Sequence, residues 1–163
     1  MKKNSRKNKK LGFMLIEVLV AISIITASTL AAMAVAQKSI VLSYRSVNTA
    51  QASFLLEEGA EAIRILRDDS WANISSLNTG TDYYLEFTGA TWVLTTSSAQ
   101  IDEFTRKINI ADVYRDAVSG NISESGNLDA GTKLVTITVS WNEGTNTVSK
   151  TLSLYITDIF SWS

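Results

Sequence analysis

A single carboxylate interrupts a long apolar stretch near the amino end of the sequence, and it lies at a fixed distance from a glycine. The segment KKLGFMLIEVLVAISII occupies residues 9–25, and Glu17 lies five residues after Gly12. An ionised carboxylate at the centre of a bilayer costs about 2.5–3.5 kcal/mol on insertion scales. The segment therefore raises the question of why a charge stands in an apolar run.

The chain lacks the residue types on which most catalytic and metal sites depend. It contains no cysteine and no histidine, which excludes thiolate zinc sites, Cys–His nucleophile pairs and disulfides. A glycosidase would need two paired carboxylates, and no such pair stands out. Glu124, Asn127 and Asp129 carry oxygen atoms that could hold calcium, but they lack the spacing of a calcium loop. We therefore predict no enzymatic activity, no cofactor and no metal site.

Charge is distributed unevenly along the chain. Six of the 15 basic residues precede Gly12, and none of the 16 acidic residues does. From Phe13 onward, nine basic residues stand against 16 acidic ones, which gives a net charge of −7. Such an acidic body is a poor match for nucleic acid, so no nucleic-acid partner is expected. The basic head is typical of the cytoplasmic flank of a membrane helix.

The apolar stretch is long enough to cross a bilayer. Among the 24 residues from Phe13 to Ala36, Glu17 is the only charged one, and about 20 apolar residues suffice for a transmembrane helix. The alternative is a secretory signal peptide, since Ala34-Val35-Ala36 fits a cleavage site after Ala36 that would release a soluble β-domain. Against it, the run exceeds the usual 7–15 residues of a signal peptide, and the helical pattern continues beyond Ala36.

The segment after Ala36 has apolar residues at helical spacing, in an arc of about 120°. These residues are Ile40, Tyr44, Val47, Phe54, Leu55, Ala62, Ile65 and Leu66. Together with the apolar stretch they predict about 54 residues of continuous helix, roughly 80 Å long, whose outer half lies against a globular domain. Glu58 lies near the middle of this stripe, beside Gly59. Either it pairs with an arginine such as Arg106, or a bend at Gly59 rotates the stripe, which is the preferred interpretation.

The segment GFMLIEVLVA, residues 12–21, resembles the prepilin cleavage and methylation motif of type IV pilins and of type II secretion pseudopilins. The basic leader that ends in Gly12, the phenylalanine after it, and Glu17 at the fifth place of the remaining chain all match. The resemblance covers about the first 36 residues. It implies cleavage between Gly12 and Phe13, methylation of the new amino group on Phe13, and subunit assembly through residues 13–36. In the assembled filament, Glu17 would pair with the Phe13 amino group of a neighbouring subunit.

The resemblance implies a structural subunit of a type IV pilus-like filament. Before assembly it would be a single-pass protein of the inner membrane with a cytoplasmic amino terminus, and afterwards part of an extracellular or periplasmic filament. Its partners would be the prepilin peptidase, which is also the methyltransferase, other pilin subunits and the membrane. Two alternatives stay open: a pseudopilin of a type II secretion system, and a secreted β-domain whose signal peptide is cleaved after Ala36.

The predicted fold is α+β and pilin-like, with a small antiparallel sheet of four or five strands packed on the outer half of the helix. The domains are a leader (1–12), a transmembrane or filament-core helix (13–36), its amphipathic continuation (37–70) and a β-rich globular domain (71–163). Alternation of apolar and polar residues predicts strands around 83–87, 92–94, 104–110, 135–141 and 148–156. Residues Ser119–Thr132 are rich in Ser, Gly and Asn and are predicted to be a loop. The residues expected to face the helix are Val135, Ile137, Val139, Leu152, Leu154 and Ile156.

Overall fold

The computed structural model describes the backbone of residues 8–160 and the side chains of residues 14–160. The leader predicted for residues 1–12 therefore lies largely outside the described residues. The chain divides into two compact units, Met1–Val47 and Asn48–Ser163. Within the described backbone there are two α-helices, α1 (Asn8–Asp69) and α2 (Ala72–Ser75).

The last turn of helix α1 is held by a side chain from the start of α2. The Asn73 side chain donates to the Leu66 carbonyl at 3.0 Å and to the Asp69 carboxylate at 3.1 Å. It thereby adds a second donor to a carbonyl that already accepts from the Ser70 amide at 3.2 Å. Arg67 adds a positive charge to the last turn, where it complements the helix dipole.

The second unit contains an antiparallel sheet. Within residues 8–160 it has seven strands, whose main path runs in the order β2-β1-β4-β6-β7, while the short β3 and β5 pair with β4. The bounds are β1 (Asp82–Phe87), β2 (Trp92–Thr95), β3 (Gln100–Ile101), β4 (Phe104–Arg115), β5 (Ile122–Ser123), β6 (Asn127–Glu143) and β7 (Asn146–Thr157). One long helix packed on an antiparallel sheet is the α+β class that the sequence predicts.

The prediction of a loop over Ser119–Thr132 is wrong for more than half of these residues. Strand β5 lies inside it, and β6 already begins at Asn127. The reason is that β4 continues to Arg115, past an irregularity between Asp112 and Val113, and pairs with the polar start of β6 there. Backbone pairing with a long neighbouring strand overrides the weak strand preference of Ser, Gly and Asn.

The core lies between the sheet and residues 48–69 of α1. The buried helix positions include a row spaced alternately by four and three residues, at Ala52, Leu56, Gly59, Ile63 and Leu66, and Ala60 and Ala62 are buried beside it. Opposite them, β6 buries Val135, Ile137 and Val139, β7 buries Ile156, and the half-buried Leu152 and Leu154 pack on the same cluster. These six sheet residues face the helix as predicted.

The helix face predicted from the apolar stripe is rotated relative to the one observed. Phe54 and Ile65, which belong to the predicted stripe, are 68% and 45% exposed, whereas Ala52 and Ile63 are completely buried. The prediction gave weight to large side chains. The sheet instead contacts a face rich in alanine and glycine, because small residues allow the helix to approach closely.

Candidate functional site

The part of α1 in the first unit has no side chain buried within the chain. Every side chain from Met14 to Val47 is exposed, including Leu15 at 65%, Ile25 at 65% and Val35 at 66%. Among the described residues, this is the one helix long and apolar enough to cross a membrane, judged by length and composition. Burying such side chains in lipid or against other proteins is favourable by about 25 cal/mol per Å².

The hydroxyl groups of this segment are satisfied within the helix itself. Five hydroxyls donate to the carbonyl four residues earlier, at distances of 2.7–2.9 Å, and they belong to Ser23, Thr26, Ser28, Thr29 and Ser39. In a bilayer core, polar groups must find their partners inside the protein. From Met14 to Ala36, the surface that the helix presents is therefore effectively apolar, apart from one residue.

That residue is Glu17. Its carboxylate is exposed on the helix surface, and no hydrogen bond or ion pair joins it to any side chain of residues 14–160. Gly12 and Phe13 belong to the helical backbone, but the Phe13 side chain lies outside the described residues. Their predicted roles in cleavage, methylation and assembly stay predictions. Within residues 14–160 of one copy, the Glu17 carboxylate therefore has no partner.

A second charged site lies in the other unit, between α1 and the sheet. Nη1 of Arg106 donates to the Glu58 carboxylate at 3.0 Å and to the Leu55 carbonyl at 3.2 Å. The Arg106 side chain is 2% exposed and that of Glu58 is 46% exposed. The guanidinium also lies 5.5 Å from the centre of the Trp92 ring, which is within range of a cation–π interaction.

This geometry decides between the two interpretations of Glu58. The residue pairs with Arg106, which the sequence analysis considered but did not prefer. Gly59 has a different role from the expected bend, because a Cβ atom at this position would lie 3.2 Å from both Arg106 Cδ and Ile137 Cγ2. The absence of a side chain thus lets the buried arginine pass beneath the helix.

We expect Glu58→Gln to destabilise the second unit by roughly 1–3 kcal/mol, because it removes the charge that compensates a buried guanidinium. The loss should be below the 3–5 kcal/mol typical of a fully buried pair, since Glu58 is half exposed. Glu57→Gln is the matched control, because Glu57 is exposed and makes no described ion pair. Equal shifts of the two melting midpoints, followed by circular dichroism, would contradict a stabilising role for the pair.

The three oxygen-bearing residues considered for calcium are not arranged as a metal site. Asn127 and Asp129 lie in β6 rather than in a loop. Both carboxylate oxygens of Asp129 are engaged, one by Arg115 Nε at 2.6 Å and the other by the Gly131 amide at 3.0 Å. Among the described residues, no group of three or more acidic side chains is placed to hold a metal ion.

The Arg115 hydrogen bond lowers the pKa of Asp129 below its ordinary value. A depressed folded-state pKa stabilises the protein above the unfolded pKa of about 3.9, and this contribution is lost as the pH falls through the folded value. Asp129→Asn should therefore lower the melting midpoint at pH 7, and the difference from the unchanged protein should disappear in acid. Asn127→Ala, at an exposed and uncharged position of the same strand, should give no such pH-dependent difference. A constant offset for Asp129→Asn down to pH 2 would contradict the assignment.

A scan against protein-family models, a search of curated proteins and a search of solved structures return no match for this chain.

Proposed function

We propose that this chain is a structural subunit of a type IV pilus-like filament. It enters the inner membrane as a precursor, is cleaved after Gly12, is methylated on the amino group of Phe13, and polymerises through its amino-terminal helix. The observation that carries the proposal is an apolar helix surface from Met14 to Ala36 that the chain itself leaves uncovered, interrupted by the lone carboxylate of Glu17. A bilayer covers part of such a helix before assembly, and the helices of other subunits replace the lipid afterwards.

The partner of Glu17 is the new amino group on Phe13 of a neighbouring subunit. Cleavage creates this positive charge, so an uncleaved precursor has no such group to offer. A buried ion pair contributes little net stability, but it can fix the register between identical helices. Glu17 therefore determines the register of the neighbouring subunit during assembly, and it adds little to the stability of the contact.

Two features of helix α1 support this proposal over a secreted β-domain cleaved after Ala36. Helix α1 continues without a break from Asn8 to Asp69, and its residues from Ala52 to Leu66 form one side of the core. The apolar segment thus belongs to a helix that also forms part of the core. A signal peptide, in contrast, is removed and forms no part of the exported domain. A pseudopilin of a type II secretion system would use the same helix and the same cleavage.

The intact mass of the protein from its native membrane tests the proposal. We expect a mass equal to residues 13–163 plus one methyl group, because the peptidase removes the leader and methylates the new terminus. Gly12→Leu is the informative variant, since a side chain at this position should block the peptidase and leave the full-length mass. A mature chain that begins at Gln37 would instead establish the secretory interpretation and overturn the filament model.

A further inference from the structure

A cavity of about 510 Å³ lies in the second unit, where the end of α1, the short helix α2 and the edge strand β2 come together. Its volume falls in the range of cavities that hold small organic ligands. The filament contact proposed above is made by the amino-terminal part of α1 and does not involve this cavity. Its walls therefore need an explanation of their own.

One wall of the cavity is apolar and held in place by its neighbours. Leu66 is 7% exposed, while Trp92 and Leu94 are half-buried and pack on the core. The Trp92 ring lies 5.2 Å from the Phe87 ring, centre to centre, and the Arg106 guanidinium lies 5.5 Å from its centre. An aromatic ring fixed by such contacts offers a ligand a large apolar surface at little entropic cost.

The helix side of the cavity offers hydrogen-bond acceptors. The Asn73 amide nitrogen donates to the Leu66 carbonyl at 3.0 Å and to Asp69 Oδ2 at 3.1 Å. Both hydrogens of this amide are thereby engaged, and within residues 14–160 no donor reaches Asn73 Oδ1 or Asp69 Oδ1. The Ser76 hydroxyl donates to the Ala72 carbonyl at 2.6 Å, so its own oxygen can still accept. All three side chains line the cavity, and each has an oxygen that can accept a hydrogen bond.

The strand side of the cavity adds backbone donors. Strand β2 is an edge of the sheet and pairs with β1. The Thr88 amide donates to the Thr91 carbonyl at 3.0 Å, and hydrogen-bonded and non-hydrogen-bonded pairs alternate along an antiparallel ladder from there. Trp92 and Leu94 therefore direct their N–H and C=O groups away from β1, and both residues line the cavity. The Thr91 hydroxyl lies 3.4 Å from the Trp92 carbonyl, which leaves the two N–H groups as donors.

We propose that this cavity binds a neutral sugar, a function separate from filament assembly. A sugar hydroxyl both donates and accepts hydrogen bonds, so one ligand can satisfy the oxygens of Asp69 and Asn73 and the N–H groups of β2. The C–H groups of the sugar ring pack against Trp92. In the part of the chain that the structure describes, no basic side chain lines the cavity. A phosphate or carboxylate ligand would therefore lose its hydration beside Asp69 without a compensating charge.

Saturation-transfer NMR tests the proposal on the full-length protein in micelles of lauryldimethylamine oxide, a detergent without a sugar headgroup. The probes are the methyl glycosides of glucose, galactose, mannose and N-acetylglucosamine. We expect at least one of them to receive saturation, mainly on its ring C–H protons. Asp69→Ala should weaken the binding of that sugar about tenfold or more, because a hydrogen bond to a charged acceptor is lost.

Asp68→Ala is the matched control for Asp69→Ala. It removes the same charge from the neighbouring exposed position, but Asp68 accepts from Arg67 Nε at 2.8 Å and lies outside the cavity lining. Its effect on sugar affinity should stay below about twofold, as expected of an exposed charge that does not touch the ligand. Equal weakening by the two changes would overturn the proposal.

A second pair of variants keeps the test independent of the fold. Ser76 is exposed and lines the cavity, so Ser76→Phe should fill the cavity and abolish sugar binding with little change in the melting midpoint. Thr79→Phe, at an exposed position outside the lining, should bind as the unchanged protein does. The proposal is overturned if none of the four glycosides receives saturation, or if Ser76→Phe binds as well as Thr79→Phe. Saturation of a neutral Thr-Val-Thr-Val peptide in place of the sugars would equally overturn it, in favour of strand addition to β2.

Discussion

Filaments sheared from cells that produce only the Glu17→Val variant should contain little or none of it, although the membranes should hold the cleaved subunit in normal amount. Removal of the carboxylate makes the helix more apolar, so membrane insertion should be unchanged or improved. The loss of one partner from a buried pair leaves the Phe13 amino group uncompensated, at a cost of about 3–5 kcal/mol. In a homopolymer this penalty recurs at every subunit contact.

The matched control for this experiment is Ser23→Ala. It removes a polar group from the same apolar segment, but that hydroxyl is satisfied by the Leu19 carbonyl of its own helix and should matter little to a neighbour. If the chain is a minor subunit, the defect should appear as loss of the Glu17→Val chain from filaments that other subunits still form. Normal incorporation of Glu17→Val, measured by immunoblotting of sheared filaments, would rule out the assembly role of Glu17.

Ile137→Ala should destabilise the second unit far more than Thr138→Ala. Ile137 is completely buried on β6, and its side chain lies directly beneath Gly59 of α1. Truncation of a buried isoleucine to alanine costs about 2–5 kcal/mol, because the neighbours only partly fill the cavity. A rigid glycine–isoleucine contact leaves little freedom for such relaxation, so we expect a value in the upper part of this range.

Thr138→Ala is the control at the adjacent position. Thr138 points to the opposite face of the sheet, where its hydroxyl lies 3.4 Å from that of Thr151, and its loss should cost at most about 1 kcal/mol. Both full-length variants can be unfolded in detergent and followed by tryptophan fluorescence, because Trp141 is buried against Phe104 at a centroid distance of 5.7 Å. Equal destabilisation by the two changes would mean that the assigned core face is wrong.

The strands were predictable from the sequence where side-chain alternation is strict. The pattern around Val135, Ile137 and Val139 identifies both the strand and its buried face, because period-two alternation has one structural solution. The extension of β6 back to Asn127 was not predictable. Its residues there carry no apolar alternation, and their pairing depends on how far β4 runs. The sequence analysis did not identify the helix face that contacts the sheet, because that face contains the small residues Ala52, Gly59 and Ala60. Small residues do not mark a core face in the sequence, and their role is evident only from their contact with the sheet.

The two charged sites differ in how far the sequence determines them. The position of Glu17 after Gly12 is a local pattern, so the sequence alone indicates it, yet the proposed partner belongs to another copy. The pairing of Glu58 with Arg106 joins residues far apart in the chain, and no local spacing predicts it. The strand alternation places Arg106 on the same face as Phe104 and Ile108, and a charge on an apolar strand face is the signal that favours a buried partner.

The close approach of α1 to the sheet has a consequence for protein engineering. The sheet packs against a helix face that has no side chain at Gly59 and only methyl groups at Ala52 and Ala60. A foreign helix with larger apolar residues at these positions would therefore not fit. A chimera joined at the end of α1, after Asp69, would separate the sheet from the helix face on which it packs. The better junction lies inside the helix, near the boundary between Val47 and Asn48. A transplanted domain should keep its native helix from Asn48 onward and accept a different helical segment before it.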